Sequence, residues 1–332
     1  MELETWHIIL ISVVGGWALL WLLINAKTSR PDGTFLSKVH PYRRMMSYLM
    51  PGRNESVVYF DDYVKADALL DYIARTREEA FHVDVTHCLV GAVGLGMRHN
   101  PKMNQFIAGQ RIYQRNHVAL TFSMKRQKGN RQAKITAVKQ RIDETQSFAD
   151  ICAAINDKIN YERSDAETYT DKELGLFFKF PRPLLRGSMS AVRWLDYHNL
   201  LPKAFIDSDG FFTSAFIANL GSVGMRPGYH HLYEYGTCPL FVMVGRIEKR
   251  PTVVGDEIQA VNTLHIRFSY DERIDDGLTA RFGIDTVREI LEDPDRYLGT
   301  WGADGRKGAD EPLPIPPSSY NATKDKPMAS TG

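Results

Sequence analysis

Residues 269–277, which read SYDERIDDG, decide the fold of this chain. They follow a strand-like segment at 263–270 and lead into a helical pattern that opens near Asp276. A carboxylate at the start of a helix accepts hydrogen bonds from free backbone N–H groups and favours the positive end of the helix dipole. The stretch therefore predicts a strand, a turn and a helix that Asp276 caps.

The composition excludes several classes of protein. With 332 residues and 43% hydrophobic content, the chain can bury one large core or two ordinary ones. The 41 basic and 40 acidic residues nearly balance, so no electrostatic feature favours nucleic acid as a partner. Three widely spaced cysteines fit a reducing compartment, and no Cys/His cluster has metal-ligand spacing. We therefore expect no metal and no nucleic-acid partner.

The N-terminus carries a long apolar run. Residues 6–25 contain no acidic or strongly basic side chain, and a helix needs about 20 such residues to cross a bilayer. A signal peptide fits less well because Glu2 and Glu4 precede the run, and a soluble core helix rarely lacks a polar face. Basic residues follow the run, so the positive-inside rule predicts a single-pass protein of the cytoplasmic membrane whose C-terminal domain is cytoplasmic.

The remaining sequence mixes strand-like and helical segments without strict alternation. Helical patterns occupy 38–50, 65–80, 86–97 and 148–159, the last with Ser147 as N-cap, and strand-like patterns occupy 57–63, 112–114, 118–125, 135–138, 212–220 and 240–247. We expect an anchor and linker over 1–30 and a mixed open sheet with packed helices over 31–301. Residues 302–332 are rich in Pro, Gly, Ser and charge, which predicts a disordered tail.

Several blocks resemble one family in order and spacing. Residues 269–277 resemble its H-x-x-x-D-G segment, and four further blocks match its other motifs: 215–224 (AFIANLGSVG) its T-[IF]-S-N-L-G-x-x-G turn, 238–246 the next strand, 87–109 the helix leading into H-P-x-x-N, and 39–46 the opening helix with its Arg-Arg pair. The chain is similar to the catalytic domain of the dihydrolipoamide acyltransferases of 2-oxo-acid dehydrogenase complexes. This resemblance covers most of residues 38–296 and implies the chloramphenicol acetyltransferase-like α/β fold.

The chain departs from that family at two chemical positions. In the resembled enzymes the histidine takes the thiol proton and the serine donates to the oxyanion; here those positions hold Glu272 and Ala218. Proton transfer from a thiol near pKa 8.5 to a carboxylate near 4.3 is uphill by about 6 kcal/mol, about twice the cost with a histidine. A lost oxyanion donor costs about 3 kcal/mol more. We expect a retained fold and lost or greatly reduced acyl transfer.

The resemblance also implies structural roles around these positions. Asp276 is expected to pair with Arg43 or Arg44 or to cap its helix, and the two roles can coexist. Gly277 is expected to allow close packing at the turn. Three residues match positions of the family's other turn, namely Asn219, Gly221 and Gly224.

A replacement base would be another histidine. His230 and His231 are the alternative bases, although a histidine pair beside aromatic residues is more often structural. His265 lies on the strand that leads into residues 269–277, but alternation places it on the face opposite Glu272. His87 has the sequence context of a hydrogen-bonded core residue. None of the four is a strong candidate.

Residues from about 174 to 210 look like an insertion relative to the resembled family. They mix aromatic and basic side chains. One interpretation places the segment in the lipid headgroup region beside the anchor. The other packs it as a helical hairpin on the domain or around a trimer, and both stay open.

The sequence thus predicts a membrane-anchored member of the acyltransferase-like family. We expect a homotrimer or higher oligomer because the resembled family builds its sites between neighbouring subunits. One hypothesis is a scaffold, or a protein that binds coenzyme A, acyl-CoA or another acyl thioester without standard transfer. The alternative is an active acyltransferase with Glu272 as base. An assembly subunit of a dehydrogenase complex is less favoured, because no lipoyl or partner-binding domain is expected before the core.

Overall fold

A computed structural model describes residues 2–126, 135–163 and 179–299. The tail expected at 302–332 and the first residues of the expected insertion, 174–178, lie outside the described residues. The described helices are α1 (Glu2–Ala26), α2 (Pro41–Leu49), α3 (Asp67–Glu79), α4 (Val85–His99), α5 (Phe148–Arg163), α6 (Arg182–Tyr197), α7 (Lys203–Ser208), α8 (Gly277–Glu292) and α9 (Pro294–Tyr297). The described strands are β1 (Gly33–Phe35), β2 (Val57–Lys65), β3 (Gln105–Ala108), β4 (Arg111–Arg115), β5 (Val118–Lys125), β6 (Ile135–Ile142), β7 (Ala215–Asn219), β8 (Leu240–Val254) and β9 (Glu257–Asp271).

A six-stranded mixed sheet forms the centre of the domain. Its strand order is β2-β9-β8-β7-β5-β6, in which β7 runs parallel to both β5 and β8 and the other pairs are antiparallel. A second, three-stranded sheet has the order β1-β4-β3. The predicted mixed α/β architecture with packed helices is confirmed.

The two faces of the central sheet have different environments. Alternation along β7 points Ala215 and Ile217 to the main core, where helices α3, α4, α5 and α8 pack. Phe216 and Ala218 point to the other face, in a smaller apolar cluster. This alternation fixes which side chains can approach Ala218.

Some element boundaries differ from those predicted. The first helix of the domain begins at Pro41 rather than 38, because proline suits the first helical position and the His40 ring accepts from the Tyr42 N–H at 3.3 Å. Strand β7 is shorter than the predicted 212–220. The segment before β7 is held instead by a side-chain hydrogen bond: the Thr213 hydroxyl donates to the Ala119 carbonyl at 2.6 Å. Strands β8 and β9 extend beyond their predicted segments as a hairpin.

Helix α1 matches the predicted apolar run. Residues Thr5–Ala26 are long and apolar enough to cross a membrane, and none of the helix's most apolar window is buried in the protein. The chain immediately after α1 is bonded to the domain: Arg111 Nη1 and Asn199 Nδ2 donate to the Lys27 carbonyl at 2.9 and 3.0 Å. Arg30 is buried in ion pairs with Asp32 at 2.7 Å and Asp196 at 3.0 Å. The end of α1 is therefore fixed to the body of the domain.

Candidate functional site

Glu272 lies just after β9, at the position that resembles the catalytic histidine. Its backbone is held on both sides: its N–H donates to the Ser56 carbonyl at 3.0 Å, and Arg43 Nη1 donates to its carbonyl at 3.4 Å. Its side chain is half-buried. Among the described residues the carboxylate has no hydrogen-bond or ion-pair partner. The fold therefore positions Glu272 through its backbone and leaves the carboxylate available.

The residues on either side of Glu272 form a buried ion pair. Arg273 makes two bonds to the Asp271 carboxylate, both at 2.8 Å, and the two side chains are 3% and 0% exposed. Ser56 Oγ also donates to Asp271 at 2.9 Å. The remaining Arg273 donor bonds the carbonyls of Met50 and Pro51, both at 2.9 Å. These contacts tie the turn to the segment before β2.

Asp275 and Asp276 share the roles expected of one aspartate. Asp276 accepts from the Thr279 N–H at 3.1 Å and caps α8, as the sequence indicates. Arg43 lies 4.0 Å from Asp276 but 3.2 Å from Asp275, which Lys102 also contacts at 3.2 Å. Burial alone raises the pKa of Asp275, but hydrogen bonds and these cations lower it below its usual range. The main ion pair of this turn is therefore made by Asp275.

Of the expectations for this turn, the contact between Asp276 and an arginine is met by Arg43, and the close packing at Gly277 needs correction. Arg44, the other candidate partner of Asp276, makes no ion pair with it in the described chain; Arg43 takes that place. Gly277 is not closely packed: a Cβ added there meets no atom within 4 Å. The helix that begins at Gly277 is positioned by its cap rather than by close approach of a neighbour.

Ala218 lies in an apolar environment. It is 8% exposed, and the buried side chains of its cluster are Phe216, Leu232, Cys238, Phe241 and Met243. A methyl group there supplies no hydrogen bond to a developing oxyanion. The position that resembles the catalytic serine thus contributes packing.

The turn after Ala218 keeps its expected structure. Asn219 Oδ1 accepts from the Ser222 N–H at 3.1 Å, and its Nδ2 donates to Thr86 Oγ1 at 3.1 Å. Gly224 has φ +76°, a left-handed conformation that favours glycine. A Cβ at Gly221 would lie 2.4 Å from the carbonyl oxygen of residue 245. These three residues are therefore explained by the turn itself.

A single chain does not bring Glu272 and Ala218 together. Asp271 bonds the backbone of Pro239, whereas Ala218 pairs with Met243 on the same side of the sheet. Pro239, directly before β8, and Met243 are four residues apart, which places Glu272 and Ala218 roughly 13 Å apart along the strand direction. Strands β9 and β7 are two strand spacings apart, which adds roughly 10 Å across the sheet. Chemistry that needs both positions would require a second subunit or a large rearrangement.

Comparisons with known proteins identify the family that this chain resembles. Residues 208–299 match the family model of the 2-oxoacid dehydrogenases acyltransferase (catalytic domain). Over 116 residues, 33% of this chain, the sequence is 33% identical to the dihydrolipoyllysine-residue acetyltransferase component of the pyruvate dehydrogenase complex of Acholeplasma laidlawii. The match spans 20% of that relative. The resemblance predicted from the motifs is confirmed.

Solved structures agree on the fold. A probable dihydrolipoamide acetyltransferase from Listeria monocytogenes superposes with a TM-score of 0.52 at 15% identity, over 80% of this chain and 96% of that chain. The dihydrolipoamide acetyltransferase of Azotobacter vinelandii, in which a serine, a histidine and an asparagine have a role in the catalytic mechanism, has a TM-score of 0.50 at 15% identity, over 79% and 93%. The chloramphenicol acetyltransferase-like fold expected of the acyltransferase family is therefore confirmed.

Each of the candidate histidines His230, His265 and His87 has contacts of its own, and none of the described contacts joins their rings to the Glu272 carboxylate. His230 stacks on Phe241 with ring centroids 4.0 Å apart, and its Nδ1 contacts the His231 carbonyl at 2.6 Å. Burial lowers the pKa of His230. His265 pairs with Asp61 at 2.8 Å, and His87 is buried with its ring bonded to its own helix cap. The pair at 230–231 thus lies on the sheet face of Ala218.

One hydroxyl near Ala218 was missed by sequence reasoning. Ser123 of β5 pairs directly with Ala218 in the parallel register, and it is half-buried. Paired residues of neighbouring strands point to the same face, about 5 Å apart. No local sequence signal identifies Ser123, because its closeness depends on which strands become neighbours.

Proposed function

We propose that this chain is a membrane-anchored relative of the 2-oxoacid dehydrogenase acyltransferases that keeps their fold without standard acyl transfer. It acts as a scaffold, or it binds coenzyme A or an acyl thioester. The observation that carries the proposal is the apolar packing of Ala218, which leaves no side-chain oxyanion donor at the serine position. At the histidine position Glu272 replaces the imidazole base, which is the second missing catalytic group.

The two substitutions together predict a large loss in the rate of acyl transfer. In the Azotobacter enzyme a serine and a histidine have roles in the mechanism, and the motif resemblance aligns them with Ala218 and Glu272. The missing oxyanion donor costs about 3 kcal/mol, and a carboxylate base costs about 3 kcal/mol more than a histidine. Together these correspond to roughly a 10⁴-fold slower reaction.

The shape of the turn has a structural reason under this proposal. Asp271, Arg273 and Asp275 tie residues 271–276 to the rest of the domain through bonds that do not involve the Glu272 carboxylate. The turn would therefore be retained for stability after the reaction was lost.

The proposal includes an oligomer, most simply a trimer. Glu272 and Ala218 are far apart in one chain, and neighbouring subunits would bring one position of each copy together, as the resemblance implies. A thioester or coenzyme A would bind in that interface. The membrane anchor would hold the assembly at the cytoplasmic face.

Ligand binding by the purified full-length protein tests the proposal. Native mass spectrometry in detergent reports the subunit number and any coenzyme A or acyl-CoA that co-purifies, and titration calorimetry measures added coenzyme A. We expect an oligomer that does not turn over acetyl-CoA. A ligand-binding protein should bind coenzyme A saturably, whereas a scaffold should not bind it. Turnover of acetyl-CoA and dihydrolipoamide that Glu272→Ala abolishes would refute the loss of transfer.

An active acyltransferase is the second candidate, favoured by the hydroxyl of Ser123 beside Ala218. In that case Ser123 would donate to the oxyanion and Glu272 would act as base. Both Ser123→Ala and Glu272→Ala would then lower turnover by about 100-fold or more. Turnover unaffected by Ser123→Ala would remove the observation that favours this function.

A further inference from the structure

Helix α6, in the insertion, has an exposed stripe without charge. Four residues recur at helical spacing on the same side of this helix, and all four are exposed: Leu184, Gly187, Ala191 and Trp194. The two large side chains of the stripe are 53% and 49% exposed. Val192 and Leu195 are half-buried and pack on the domain beside Phe212, and Leu195, four residues after Ala191, lies at the edge of the stripe. The helix is thus attached by one side and leaves an apolar side uncovered in the described chain.

The charges around this stripe have one sign. Residues 179–195 contain four basic residues and no acidic one, and all four are exposed: Lys179, Arg182, Arg186 and Arg193. The first acidic residue, Asp196, is paired with the buried Arg30 at 3.0 Å. The free charge of the helix is therefore positive.

The C-terminal end of α6 lies beside the end of α1. Asn199 donates to the carbonyl of Lys27, the first residue after α1, at 3.0 Å. Asp196 holds Arg30 four residues after α1. If α1 spans a bilayer, the turn that carries Trp194 is at the level of the lipid headgroups.

We infer that α6 lies on the surface of the bilayer that holds α1. This inference rests on the membrane anchoring proposed above. Trp194 and Leu184 enter the boundary between headgroups and acyl chains, where tryptophan is favoured. The arginines contact acidic headgroups of the cytoplasmic leaflet, which attract basic segments near the membrane. The insertion thus adds a second membrane contact and fixes the orientation of the domain.

Lipid contact at position 184 tests the inference in the full-length protein. The three native cysteines are buried, so Leu184→Cys can be labelled selectively with an environment-sensitive fluorophore. Val253→Cys is the matched control: Val253 is 64% exposed at the tip of the β8–β9 hairpin. Val253 lies thirteen strand positions from Leu240, or roughly 40 Å. Leu240 follows Thr237, which Arg115 joins to Asp32, six residues after α1. Each labelled protein is reconstituted into vesicles with shallow spin-labelled lipid as quencher, with and without acidic lipid.

We expect the probe at 184 to be blue-shifted and quenched several-fold more than the probe at 253 in acidic vesicles. High salt and the triple variant Arg182→Gln/Arg186→Gln/Arg193→Gln should reduce the difference, because each arginine contributes about fivefold to docking. If the protein floats with vesicles but both probes are quenched equally, the inference about α6 is overturned while the membrane anchoring stands. A blue-shifted but unquenched probe would also overturn it, because a neighbouring subunit would then cover the helix. Protein that does not float would overturn the anchoring as well.

Discussion

Replacement of Asp271 by asparagine should destabilise the domain far more than a change at the adjacent Glu272. Asp271 is 0% exposed and holds the 3%-exposed side chain of Arg273 through two bonds of 2.8 Å. Removing one partner of a buried pair leaves an uncompensated charge and costs about 3–5 kcal/mol. Arg273 keeps its bonds to two backbone carbonyls, so we expect the lower end of that range.

Thermal unfolding of the full-length protein in detergent, followed by near-ultraviolet circular dichroism, measures this cost. A loss of 3 kcal/mol lowers Tm by about 6 °C or more for a domain of this size. Glu272→Gln is the matched control and should stay within about 0.5 kcal/mol of the wild type. A Glu272→Gln variant as unstable as Asp271→Asn would show that the Glu272 carboxylate has a structural role and would contradict this prediction.

Four further variants test the packing of the turns, the cap of α4 and the two substituted chemical positions. Gly221→Ala should lower the free energy of unfolding by about 1–3 kcal/mol in chemical denaturation, because its Cβ would meet a backbone oxygen. Gly277→Ala, whose Cβ would lie in open space, should be neutral or slightly stabilising. Equal effects of the two variants would contradict the packing described for these glycines. Asp84 caps α4: its carboxylate accepts from the backbone N–H groups of Thr86 and His87 and contacts the His87 ring at 2.8 Å. Burial raises the pKa of Asp84, but the contact with His87 and these backbone bonds lower it below the usual range. The stability lost in Asp84→Asn should therefore be largest at neutral pH and shrink below about pH 4; a pH-independent difference would contradict this. The double variant Glu272→His/Ala218→Ser should gain up to about 10⁴-fold in acyl transfer, and no gain over wild type would show that other features also block the reaction.

The sequence predicted the larger elements because their signals are local. Strand β2 follows from a short apolar segment and helix α3 from apolar residues at helical spacing, and Asp276 is a carboxylate directly before an apolar helix. Strands β1 and β3 have three and four residues, too few for a periodic pattern, and neither was predicted. The polar outer part of the β8–β9 hairpin was missed because it is stabilised by pairing rather than by burial.

Side-chain partners around the site depend on tertiary contacts that a motif does not encode. The motif predicted an arginine contact for Asp276, but Arg43 lies closer to Asp275 because the cap turns the Asp276 carboxylate toward its own helix. The open space beside Gly277 and the position of Ser123 next to Ala218 likewise depend on strand order and helix entry. The substitutions at the two chemical positions, by contrast, are read directly from the motif.

Steady-state turnover of acetyl-CoA with dihydrolipoamide by the purified full-length protein tests the loss of acyl transfer most directly. Glu272→Ala is measured beside the wild type, with a dihydrolipoamide acetyltransferase as positive control. We expect no turnover above the uncatalysed rate and no difference between wild type and variant. Turnover by the wild type that disappears in Glu272→Ala would contradict this expectation.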